Sequence, residues 1–125
     1  MKINLKKLGT AETRAPESMS VCMDFRSLAL GSANEAQKLR LYASAIAVCI
    51  DGSAKLPRYK SETADPVAFG GIIQERLYDA GVTPFEIMSM GSDCIVMMIE
   101  KTNPLFGGVD EKENFISEKE EGLTS

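Results

Sequence analysis

Apolar positions change period along this chain, and each change marks a new element. Ile3 and Leu5 alternate with polar neighbours until Gly9-Thr10. After Pro16, Met19, Val21, Met23 and Phe25 alternate with Ser18, Ser20, Cys22 and Asp24. A period of two suits a half-buried strand, so residues 1–31 are expected to be extended, as a loose antiparallel pair. Two strands alone are marginal and must pack on the rest of the domain.

From Gly31 the period lengthens. Ser32 or Asn34 can cap a helix running to about Ile50, to which Ala36, Leu39, Ala43, Ile46, Val48 and Ile50 contribute apolar surface. Its second half is apolar almost all round, so a partner element must bury it, within the fold or in an oligomer. Asp51-Gly52 ends it, and residues 52–64 form a polar loop around Pro57.

Helix punctuation is densest between Asp65 and Pro104. Asp65-Pro66 supplies a side-chain cap and a ring suited to the first helical position. Phe69, Ile72, Ile73 and Leu77 then make an apolar stripe, and Ala80-Gly81 closes the helix. The adjacent Gly70 and Gly71 each cost about 1 kcal/mol relative to alanine. Such a cost implies close helix approach or a kink. Thr83-Pro84-Phe85-Glu86 reads as a capping box for a helix that Asn103-Pro104 stops, with Gly91-Ser92 as a break point. An acidic tail follows, with Phe115-Ile116 as its one apolar pair. Its composition predicts disorder.

These readings give an α+β fold, mainly α. Three or four packed helices form a core over residues 32–106, beside a short extended or hairpin N-terminal segment (1–31) and a disordered C-terminal tail (107–125).

Composition narrows the function classes. The 125 residues are 44% apolar and 26% charged, within the globular range, and suit one domain. A net charge of −4 disfavours nucleic acid as a partner, because phosphate binding needs a cationic surplus. The loop residues Lys55, Arg58, Tyr59 and Lys60 are the one basic-aromatic cluster, and a solvated loop explains them. No apolar run approaches the roughly 20 residues of a membrane span, and no secretory h-region follows the basic start.

Catalytic chemistry finds little purchase. Histidine is absent, which removes the commonest general base. Cys22, Cys49 and Cys94 are widely spaced without a C-x-x-C pair, so three reduced, mostly buried thiols are expected and a metal site is not. Asp51, Glu62, Asp65, Asp79 and Glu86 fall at helix ends or in loops, where capping and solubility explain them. The chain is read as no enzyme, with no cofactor.

Binding or assembly remains. Met88, Met90, Met97 and Met98 lie among Phe85, Ile87, Ile95, Val96 and Ile99. Flexible thioethers fill cores, or line grooves that repack against partners. Met88, Met90, Met97, Met98, Phe115 and Ile116 are therefore the candidate partner-binding residues.

The run Leu39-Arg40-Leu41-Tyr42-Ala43-Ser44-Ala45-Ile46-Ala47-Val48-Cys49, the loop with Pro57 and Tyr59, Ala64-Asp65-Pro66-Val67-Ala68-Phe69-Gly70-Gly71, and Ala80-Gly81-Val82 carry a resemblance. Over about residues 36–102 the chain resembles small tail assembly chaperones of long-tailed bacteriophages. The resemblance implies a non-enzymatic protein of the host cytoplasm that self-associates, covers the tape-measure protein and helps recruit tail-tube subunits. A structural component of a phage particle, or a small acidic inhibitor of a host protein, would share these features.

Overall fold

In a computed structural model, residues 1–50, 55–60, 65–107 and 115 are described, and they form four helices and a small hairpin. The strands β1 (Lys2–Asn4) and β2 (Thr10–Glu12) pair antiparallel, with Ile3 opposite Ala11. The helices are α1 (Met19–Leu30), α2 (Glu35–Cys49), α3 (Pro66–Asp79) and α4 (Pro84–Thr102). The architecture is α+β, mainly α, with a hairpin at the N-terminus.

Residues 19–30 depart from the extended reading. They are helical, and the hairpin partner of β1 is residues 10–12. Alternation at Met19, Val21, Met23 and Phe25 misleads because Cys22 behaves as an apolar residue. The buried set is Val21, Cys22, Phe25 and Arg26, a spacing that repeats every turn of a helix and not every second residue. Ser18 fixes the start, its Oγ accepting from the Val21 N–H at 3.4 Å.

The other helix ends lie close to where their punctuation puts them. Asn34 and Gln37 form a reciprocal capping box on α2, and Thr83 and Glu86 form another on α4. Asp65 Oδ1 accepts from the Val67 N–H at 2.9 Å, with Pro66 at the first position of α3. At the other end of α3, Val82 N–H donates to Leu77 O and Gly81 N–H to Tyr78 O, with Gly81 at φ +96°. This double bond pattern requires a left-handed residue, which glycine supplies.

Helix α2 is the centre. Residues 41–46 and Cys49 are buried, and α3 and α4 pack on either side of it. The cover for its all-apolar half therefore comes from within the fold. Two glycines set the separations. A Cβ on Gly70 would lie 1.9 Å from Arg40 O, and one on Gly91 would lie 2.5 Å from Tyr42 Cβ. Gly91 thus explains why α4 runs unbroken past Gly91-Ser92: the glycine serves close packing, and Ser92 Oγ donates to Ser89 O within the helix.

The hairpin and α1 close the remaining sides. Lys7 N–H donates to Ala80 O, and Lys6 Nζ pairs with Glu86 at 3.0 Å, clasping the hairpin tip to the α3–α4 corner. Arg26, only 4% exposed, donates to Ile99 O, Thr102 Oγ1 and Asn103 Oδ1. Its guanidinium lies 4.1 Å from the centroid of Phe106. A cation there satisfies the Ile99 carbonyl in the last turn of α4 and faces the negative end of the helix dipole.

Candidate functional site

The six candidate partner-binding residues do not form one surface. Met98 is fully buried in the core, so it is not a surface residue. Met88, Met90 and Met97 are half-buried and pack against that core. Met90 and Met97 are two turns apart and share one flank of α4, whereas Met88 lies with Val96 on the opposite flank. The methionine-rich pattern is core plus two separate margins.

Phe115 is 3% exposed and meets Tyr42 edge to face, with centroids 6.2 Å apart. It belongs to the core of the domain. Ile116 lies outside the described residues, as does the tail beyond Gly107 apart from Phe115.

Within the basic cluster, Tyr59 is packed, whereas Lys55, Arg58 and Lys60 are exposed. Tyr59 stacks edge to face on Phe25 at 5.9 Å and on Phe69 at 5.3 Å. Burial, then the nearby Asp24 and Asp65, raise its phenol pKa. The ring is thus held between Phe25 of the core and the half-buried Phe69.

All three thiols are free and buried. Cys49 Sγ donates to Cys94 O at 3.9 Å. The neighbouring Cys94, and then burial, push the Cys49 thiol up; burial does the same to Cys22, with Lys101 opposing. Raised thiol pKa values disfavour the reactive thiolate. Among the described residues, no three Cys, Asp or Glu side chains gather as a metal site, and no helix is long and apolar enough to cross a membrane.

Among the described residues, one surface feature with shape is the outer face of α3. A groove of about 440 Å³ runs along it, lined by Arg40, Val67, Ala68, Gly71, Ile72, Gln74, Glu75 and Tyr78. The two adjacent glycines divide between the core and this groove. Gly70 turns inward onto α2, and Gly71, one residue on, points outward with nothing within 4 Å of where a Cβ would be. Ile72 stands beside this notch and is 52% exposed. Tyr78 also lines it, its hydroxyl accepting from Gln74 Nε2 at 2.7 Å. Arg40 and Glu75 give the rim one charge of each sign.

Sequence periodicity placed Ile72 in the buried stripe with Phe69, Ile73 and Leu77. The buried set is instead Pro66, Gly70, Ile73 and Leu77. Once Gly70 occupies the contact with α2, the 100° step per residue carries Ile72 outward. The signal for the groove was in the sequence as a second glycine that the packing did not need.

Comparisons with protein-family models, with curated proteins and with solved structures found no match.

Proposed function

We propose that this chain is a non-enzymatic tail assembly chaperone of a long-tailed bacteriophage, acting in the host cytoplasm. It covers the tape-measure protein and helps recruit tail-tube subunits. The observation that supports the reading is the α3 groove: a backbone notch at Gly71 flanked by the exposed Ile72 and the ring of Tyr78. A groove with polar and apolar lining and open space at Gly71 suits an amphipathic helix, which can approach closely where no side chain intervenes. The mixed charges of Arg40 and Glu75 would set its direction.

Affinity capture from infected cells, with the bound proteins identified by mass spectrometry, tests the reading. Recovery of a long helical tape-measure protein, and its loss with the groove variant Gly71→Leu, is the expected result. Stoichiometric recovery of a host enzyme, or persistence of the chain in purified particles, would replace it with the inhibitor or the structural-component reading.

A further inference from the structure

Arg26 is a buried cation whose contacts supply no opposite charge. It is only 4% exposed and reaches from α1 to the end of α4. There Nη1 donates to Ile99 O, Thr102 Oγ1 and Asn103 Oδ1 at 3.3, 3.0 and 2.9 Å. All three acceptors are neutral. Phe106 covers the guanidinium with its ring centroid 4.1 Å away, which adds attraction but no charge. The ion pairs among the described residues are Met1 with Glu12 and Lys6 with Glu86, and neither involves Arg26. Holding a desolvated cation with neutral groups alone is unfavourable, and an anion hydrogen-bonded to it offsets the penalty.

The unused part of the group has a definite shape. All three bonds fall on Nη1, and no partner takes Nε–H or the Nη2 protons among the described residues. Nε and Nη2 make up the side of a guanidinium whose parallel donors match the two oxygens of a carboxylate. That edge is not sealed. Among the described residues, Ser44 Oγ is the one fully enclosed side-chain oxygen or nitrogen without a partner, so Nε and Nη2 keep access to the surface. The turn Asn103–Phe106, which carries the covering ring, leaves Leu105 57% and Phe106 45% exposed.

We propose that this edge of Arg26 is a carboxylate-binding site, the ligand held in the guanidinium plane through Nε and Nη2 beside the Phe106 ring. A carboxylate fits better than a phosphate, because a dianion calls for more than one cation. Lys101, the basic residue in the last turn of α4, directs its Nζ to Pro16 O instead. The net charge of −4 also disfavours a doubly charged ligand. Exposed apolar side chains next to an arginine favour a carboxylate carried among apolar groups, as on a glutamate of a docked protein, over a free one. The site shares no residue with the α3 groove and stands whether or not that groove receives a helix.

The Arg26 Nε–H resonance of the nitrogen-labelled full chain reports on this edge directly. Sodium acetate is titrated against sodium chloride at equal ionic strength, and the peptide N-acetyl-Leu-Glu-Leu-amide replaces acetate in a second arm. The Nε–H signal and the Phe106 amide are expected to shift saturably with both carboxylates and not with chloride. Arg26→Lys keeps the charge without the fork, and is expected to abolish the Phe106 shift; the wild-type titration decides the matter even where that variant unfolds. Peptide binding about tenfold tighter than acetate, and weakened by Leu105→Ser, identifies a protein-borne carboxylate; equal affinity identifies a free one. No saturable Nε–H shift with either probe would overturn the proposal. A probe-free Nε–H signal displaced in the triple variant Asp110→Asn, Glu111→Gln, Glu113→Gln would also overturn it, because the chain's own carboxylates would then hold the edge.

Discussion

Gly70 and Gly71 are chemically identical neighbours with opposite surroundings. The first admits the Arg40 backbone to within 1.9 Å of its absent Cβ; the second faces open space. Gly70→Ala forces α2 and α3 apart and should lower stability by about 3 kcal/mol, the upper part of the overpacking range. Gly71→Ala keeps every contact and gains helix propensity, so stability should rise by about 0.5–1 kcal/mol. Urea denaturation of the two variants checks this, and equal effects would contradict it. The sequence shows that the pair needs a reason, since two interior glycines are costly. It cannot show which glycine carries it, because that depends on where Arg40 arrives from a separate helix.

Elements were legible where a local side chain fixes an end. Asp65-Pro66, Ala80-Gly81, Thr83 with Glu86, and Asn103-Pro104 all act within four residues of themselves, so no tertiary knowledge is needed. Helix α1 was not legible, since the alternation from Ser18 to Phe25 fits a strand until Cys22 is known to be buried. The helical cap of α4 makes a pH prediction. The Thr83 N–H, then Lys6, favour ionised Glu86 and hold its pKa below the ordinary carboxylate range. A group with a depressed folded pKa stabilises at pH values above its unfolded pKa, and the contribution is lost as pH falls through the folded value. Wild type should therefore exceed Glu86→Gln in stability at pH 7, and the gap should close as the pH drops below about 4. Denaturation curves across pH 2.5 to 7, as a rough span of that titration, would show it. A gap unchanged by acid would contradict the cap and the Lys6 pair as its source.

For the whole molecule, the domain is organised around α2, which three other helices cover and to which Phe115 returns. An isolated apolar pair in an acidic stretch gave no hint that its phenylalanine belongs to the core, because the ring's partner, Tyr42, lies far away in the sequence. Phe115→Ala should cost about 3 kcal/mol, as for other buried phenylalanines, and truncation after Gly107 should cost at least as much. A truncated chain that melts like the full one would contradict this. The α3 groove was hidden for a related reason: its notch appears only after Gly70 is committed to α2.

The central claim is that this outer face of α3 receives a helix. The measurement that tests it most directly is calorimetric titration of purified chain with a helical tape-measure fragment, comparing wild type with Gly71→Leu. Leucine fills the notch from the solvent side and leaves the α2 contact alone. The account predicts at least a tenfold loss of affinity, about 1.4 kcal/mol, with no loss of thermal stability. Unchanged affinity in a folded Gly71→Leu chain would contradict it.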